Sequence, residues 1–301
     1  MPVKGPWGGG NRTLESLERI LKERGHKITF DINSDYDIIY CHDPKPDGNT
    51  GLRYEHLLHV KNTRNIPIIQ RVGDVFYHRG EQYTQYLKET LKYSDIVTFI
   101  SSWSAKFLDI EINNKTTFIH DLRPPSIFYR VKKVNKQSDK IRIFTHHWSN
   151  NSLKGLETYS FIDNIVGKKQ YKDDFEFYYL GRVNKNFNPV NTTVIGPFDT
   201  EGVIDELDKA DIYITASKFE TGGNHLVEAL ARDIPVLYHS DGGGICSLCK
   251  EFGYVFHNND ELLKLIEDFK SKKLKIKKKF SGTLENNINK YIDLMEAMVI
   301  K

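Results

Sequence analysis

Short β-branched and aromatic runs alternate along the whole chain with stretches whose apolar residues recur every three or four positions. In the first part the runs predict strands at 27–30, 37–40, 67–70, 96–100 and 116–119. A clear helix signal precedes them: Asn11 is placed to cap it, Leu14, Leu17, Ile20 and Leu21 form its apolar face, and Gly25 ends it. Only Val3 and Lys4 remain for a first strand before the glycine loop 5–11. Further helices are expected over 81–92 and from Ser102 onward. The alternation lapses over 120–139, where a proline pair and scattered basic residues show no sustained period, and this reads as a linker. It then restarts, with strands expected at 141–145, 175–180, 193–195, 212–215, 235–238 and 254–256. Helices are expected near 154–166, 200–209, 223–231 and 260–269, and a last one at 284–298.

Two such βαβα runs predict an α/β protein with two Rossmann-like, doubly wound parallel sheets facing a cleft. The expected divisions are an N-terminal domain 1–125, a linker 126–139 and a C-terminal domain 140–282. The terminal helix 283–301 is expected to return toward the N-terminal domain.

Composition narrows the function. With 43 Lys+Arg against 40 Asp+Glu in 301 residues, the net charge of +3 offers no field for nucleic acid. No apolar run reaches the roughly 20 residues of a membrane-spanning helix. The N-terminus lacks the layout of a signal peptide, and three cysteines cannot build a disulfide framework, so a cytoplasmic location is expected. There is no GxxxxGK[ST], HExxH, GxSxG or GxGxxG. Cys246 and Cys249 form a CxxC, but too few cysteines accompany it for a structural zinc site, and no metal site is expected. Asp35-Tyr36-Asp37 is a literal DxD, yet it precedes its strand instead of following it, and reads as a strand entrance.

The densest chemistry lies at 217–244. Gly222-Gly223-Asn224 opens a helix directly after a strand, where backbone N–H groups and the helix dipole favour an anion and glycines allow close approach. Glu220 and Glu228 flank that turn; a carboxylate can accept two hydrogen bonds from a vicinal diol such as a ribose. A solvated Glu228 is the alternative for that residue. A second feature is the run 144–155: Lys154 can reach a diphosphate, while His146 and His147 read equally as phosphate donors or as paired, partly buried structural groups. In the N-terminal loop, Gly9 and Gly10 suit either contact with a phosphate or a tight turn.

Glu220-x7-Glu228 with its small-residue turn, the following Ile234-Pro235-Val236-Leu237 and glycine turn, Lys154-Gly155, and the N-terminal glycine loop leading into Arg24-Gly25-His26 carry a resemblance. Over essentially its whole length the chain resembles the nucleotide-sugar glycosyltransferases of the GT-B fold, in particular the retaining group called family 4. The resemblance implies that Glu228 binds the nucleotide ribose and that Glu220 lies near the donor sugar. It places the amides of Gly222, Gly223 and Asn224 around sugar and diphosphate, and Lys154 on the diphosphate. Where the family usually carries an Arg before that lysine, this chain has His146, His147, Trp148 and Ser149, and His147 is the substitute candidate. Phe198, in the loop Gly196-Pro197-Phe198, falls where the family holds the base, and Asp74 is the candidate to orient the acceptor.

The implied activity is retaining, metal-independent transfer from a nucleoside-diphosphate sugar, the donor substrate, to a glycan or lipid-linked acceptor, without a cofactor. Two rivals are a nucleotide-sugar epimerase of related architecture and a sugar-nucleotide-binding module without catalysis. The lysine run 270–280 reads as a solvated loop, or as a weak peripheral contact with an anionic membrane.

Overall fold

The computed structural model describes residues 2, 8–42, 53–120, 122–132 and 138–299. The expected first strand at Val3 and Lys4, residues 5–7 of the glycine loop and residues 133–137 of the expected linker lie outside the described residues. The chain divides into two compact units, one comprising Gly9–Leu122 with Thr283–Lys301, the other Arg123–Gly282.

In the first unit, α1 (Gly9–Glu23) is followed by β1 (Ile39–His42), α2 (Tyr54–Thr63), β2 (Ile68–Val72), α3 (Glu81–Leu91), β3 (Ile96–Phe99), α4 (Ser102–Phe107) and β4 (Thr116–Phe118). All strand pairs are parallel and the sheet order is β1-β2-β3-β4, so the described strands add to one edge in turn without reversal. Helix α1 starts at Gly9, so Asn11 sits inside its first turn, donating to Glu15 at 2.9 Å, and is not the cap. Gly25, at φ +86°, ends the helix as expected; His26 N–H reaches back to Leu21 O at 3.0 Å. The strand expected at 27–30 does not form. Phe30 is 55% exposed there, so no apolar face rewards pairing. Helix α2, absent from the sequence expectations, buries Leu57 and Val60 among its described side chains, a thin stripe for a strong helical period.

The second unit contains β5 (Ile141–His147), α5 (Leu156–Val166), β6 (Phe175–Gly181), β7 (Thr192–Ile195), α6 (Thr200–Leu207), β8 (Ile212–Thr215), α7 (Asn224–Ala231), β9 (Val236–His239), α8 (Gly244–Cys249), β10 (Tyr254–Phe256) and α9 (Asn259–Lys270). Its six strands are parallel in the order β10-β9-β8-β5-β6-β7. The chain builds from β5 outward to β7, then crosses back to lay β8 on the other side of β5, with Ile143 opposite Ile212. This reversal opens a crevice at the carboxyl ends of β5 and β8, where ligands of open α/β sheets bind. Ile143, Ile162, Phe177, Ile212, Ile214 and Leu237 form the centre of the core. Each contributes about 2 kcal/mol by its burial.

The expected linker 126–139 is in part a built element of this unit. Ser126–Tyr129 form a 3-10 turn with Phe128 fully buried, and Arg232 Nη1 donates to the carbonyls of Phe128 and Arg130 at 2.7 and 2.6 Å. Arg232 is itself fixed by the buried Asp208 carboxylate at 2.8 Å from Nε. The last helix, α10 (Leu284–Val299), belongs to the first unit. Its Leu284, Ile288, Tyr291 and Met295 pack with Leu17 and Ile20 of α1, and Arg24 donates to Asp293 at 2.9 Å and to Asn289 at 2.8 Å. Among the described residues no helix is long and apolar enough to cross a membrane.

Candidate functional site

The crevice of the second unit gathers most of the residues that the sequence singled out. Leaving β5, the chain passes Trp148 and makes a 3-10 turn, Ser152–Lys154, before Gly155 starts α5. Gly155 adopts φ +97°, and a Cβ there would lie 2.3 Å from Ala216 Cβ and 2.8 Å from its carbonyl carbon. Only glycine fits, so the loop after β5 is pressed against the loop after β8. Lys218 N–H donating to Leu153 O at 2.8 Å closes the same seam.

Across that seam Lys154 Nζ forms an ion pair with Glu220 Oε1, their side chains 18% and 17% exposed. Glu220 is held from the other side, its carbonyl accepting from Gly244 N–H at 2.7 Å, while Phe219, in the left-handed region at φ +54°, donates to Asp241 O at 2.9 Å. Gly222, Gly223 and Asn224 follow, Gly223 being the residue before α7. A Cβ on Gly223 would approach Ile245 to 3.1 Å. The first-turn N–H groups of α7 lack acceptors within the helix and present partial positive charge, so ammonium and helix start come from adjacent loops.

Behind them lies a buried polar layer. Glu228, on α7, is 2% exposed and its Oε2 lies 2.9 Å from His146 Nε2; it is not the solvated helix residue of the alternative reading. His147 is 3% exposed. Tyr159 OH accepts from Ala216 N–H at 3.2 Å and from Thr145 Oγ1 at 3.1 Å, which directs its own proton to His147 Nε2, 2.6 Å away. Burial, with His225, Lys154 and His146 nearby, holds the His147 imidazole well below its ordinary range. His147 is therefore disfavoured as a cation and stands at the strand end as a neutral group bonded to Tyr159. His225, just inside α7, bonds Thr215 Oγ1 at 2.9 Å and is likewise shifted well down by burial and then by Lys154. Burial also pushes the Tyr159 hydroxyl upward.

Other expected site residues stand apart. Phe198, 41% exposed, follows β7 at the edge of the sheet, two strands from β5. Asp74 belongs to the first unit, in the turn after β2, where its Oδ1 accepts from Phe76 N–H at 2.8 Å. Gly9 and Gly10 are the opening residues of α1. Asp35 and Asp37 are exposed, the Asp35 carboxylate 3.6 Å from Arg64, with nothing to hold a metal. Among the described residues no group of three or more His, Cys, Asp and Glu is arranged to bind one. Cys246 donates to Ser240 O at 3.1 Å and Cys249 is fully buried.

Sequence reasoning missed Thr145, Tyr159, Thr215 and His225. Tyr159 looks like one more apolar position of α5, and only the fold brings it to the end of β5. His225 follows Gly222-Gly223-Asn224 directly, and that adjacency was its one available signal.

Residues 156–288, which include Glu220, Glu228 and the α7 turn, match the family Glycosyl transferases group 1. The chain carries a glycosyltransferase domain. A glycosyltransferase from Rickettsia africae superposes with a TM-score of 0.63 at 16% identity, covering 99% of this chain and 84% of its own. WaaG, a glycosyltransferase involved in lipopolysaccharide biosynthesis, does so with a TM-score of 0.61 at 14% identity, covering 98% and 96%. A putative UDP-N-acetylglucosamine 2-epimerase from Listeria monocytogenes gives 0.57 at 14%, covering 96% and 79%. These likenesses establish the GT-B fold, two parallel-sheet α/β units, which glycosyltransferases share with an epimerase; the family match decides between them. No curated protein matches the glycosyltransferase by sequence. The family supports transfer of a glycosyl group from a nucleotide sugar.

Proposed function

We propose that the protein is a retaining, metal-independent glycosyltransferase of family 4 type. It moves a sugar from a nucleoside-diphosphate sugar to a glycan or lipid-linked saccharide in the cytoplasm. The observation that carries this reading is the Lys154–Glu220 pair, set at the sheet reversal beside the start of α7. A departing nucleoside diphosphate develops charge on its phosphate oxygens, and fixed positive charge in a partly dry crevice stabilises it. Lys154 supplies an ammonium and α7 the backbone donors. Glu220 orients Lys154 and accepts from donor-sugar hydroxyls. The ribose hydroxyls meet Glu228, held by His146 at 2.9 Å. Phe198 is assigned to the base, Gly9 and Gly10 to substrate contact and Asp74 to the acceptor.

The test is product analysis with UDP-, GDP-, ADP- and CDP-sugars, with and without saccharide acceptors. Acceptor-dependent release of nucleoside diphosphate, with the donor's anomeric configuration kept in the product, is expected. Conversion of the donor to its epimer without acceptor would contradict this reading.

A further inference from the structure

The charge at the Lys154 end of the crevice is incomplete. Lys154 is neutralised by Glu220, and Lys218 lies 3.8 Å from the Asp241 carboxylate, whereas a diphosphate brings two or more negative charges. One further cation stands on the adjoining strand end. Arg182 follows β6, whose last residue, Gly181, pairs in register with His147 of β5. Gly181 has φ +120°, and a Cβ there would lie 2.1 Å from His147 O, so β6 approaches β5 as closely as backbone allows before the chain turns out. Arg182 N–H then donates to His147 O at 3.3 Å.

The Arg182 side chain is exposed, and its guanidinium carbon sits 4.0 Å above the Trp148 ring. A guanidinium stacked on an indole keeps its N–H edge free for an oxyanion while its motion is restricted. The loop bearing it is joined to the loop bearing Lys154 by Asn184 Nδ2, which donates to Asn150 O at 2.7 Å, and is tied to its own strand by Tyr179 OH, which donates to Arg182 O at 3.2 Å. Lys154, Asn151, Tyr159, Tyr179 and Asn184 line one pocket between these two loops. The buried Asn151 Oδ1 in that wall has no partner among the described residues.

We propose that Arg182, stacked on Trp148, is a diphosphate-binding residue of the donor site and supplies the net positive charge that the Lys154–Glu220 pair lacks. The inference rests on the reading of the crevice as a nucleoside-diphosphate-sugar site. The experiment is calorimetric titration of the wild type, Arg182→Ala, Arg182→Lys and Trp148→Leu with UDP, GDP, ADP and CDP. It continues with the monophosphate and nucleoside of whichever base binds, at 50 and 300 mM salt. A charge-assisted hydrogen bond is worth about ten- to a hundredfold in affinity. Arg182→Ala is expected to lose about that much for the diphosphate, less for the monophosphate and nothing for the nucleoside, with a flatter salt dependence. Arg182→Lys recovers part of the diphosphate affinity, and Trp148→Leu loses a smaller part. Because Arg182 is exposed, its variants keep the wild-type melting temperature. Wild-type diphosphate binding that Arg182→Ala leaves unchanged in strength and salt slope would overturn the assignment alone. Failure of the wild type to bind any of the four diphosphates would overturn the donor-site reading, and this inference with it.

Discussion

The two units use the same parts, parallel strands with helices between, and treat the buried polar groups of their sheets differently; outside the sheet, the first unit's Asn287 Nδ2 on α10 is also without a partner among the described residues. In the first, Gln70 is fully buried in β2, yet its amide donates to Thr90 Oγ1 at 2.7 Å and accepts from Ser94 Oγ at 2.9 Å. In the second, the buried atoms His146 Nδ1, His147 Nδ1 and Ser217 Oγ have no partner among the described residues, and all three lie at or just past the ends of β5 and β8. An unpaired buried polar group destabilises by about 1–3 kcal/mol, so such a concentration marks a place shaped for something other than stability. The topology explains the location. Strands that add in turn to one edge keep each crossover beside the last, whereas the reversal between β5 and β8 separates two crossovers and leaves loop ends free to meet.

Several substitutions break or sharpen that contrast. The largest effect is expected from Lys154→Ala, which should lower the rate of glycosyl transfer about a hundredfold or more, in the range for loss of one preorganised charge donor. Steady-state kinetics with a fixed donor checks it. Next comes a pair of glycines, one from each unit. Gly155 and Gly25 both have φ near +90°, but a Cβ on Gly155 meets Ala216 while one on Gly25 meets nothing within 4 Å. Gly25→Ala should cost about 1 kcal/mol, from backbone strain alone, and Gly155→Ala about 3 kcal/mol, from strain plus overpacking. Urea denaturation of both variants measures the difference.

A smaller effect follows from His147. Its folded-state pKa lies well below 6.5, so the unfolded chain binds the extra proton first as pH falls. The contribution to stability is complete above pH 6.5 and shrinks below it, until the folded-state pKa is reached. The slope is roughly 1 kcal/mol per pH unit. Denaturation midpoints between pH 7 and pH 5 should show this fall, and His147→Gln should flatten it. The smallest effect is expected from Asp35→Asn with Asp37→Asn in the first unit: both side chains are exposed, and stability and transfer rate should stay at wild-type values.

What could be seen in the sequence follows the same division. The segment from β8 to β9 was legible because strand, glycine turn, amphipathic helix and buried strand succeed one another without interruption, and every signal in it is local. The strand expected at 27–30 was misjudged because β-branched residues say nothing about whether a partner or an apolar layer exists; Phe30 has neither. His147 was left between two readings for a related reason. Two histidines at a strand end suggest charge, while the neutral state comes from Tyr159, twelve residues on, and from burial that only the sheet creates. Glu228 and Lys154 were singled out through their neighbours in sequence. Arg182 and Trp148 were not joined, because the contact depends on the register of β6 on β5.

The central claim is that the crevice between the ends of β5 and β8 binds a nucleoside diphosphate through Lys154. It is tested most directly by titrating UDP, GDP, ADP and CDP into the wild type and Lys154→Ala. One nucleotide should bind the wild type, with at least about tenfold weaker binding to the variant. Equal affinity in the two proteins, or no binding to the wild type, would contradict it.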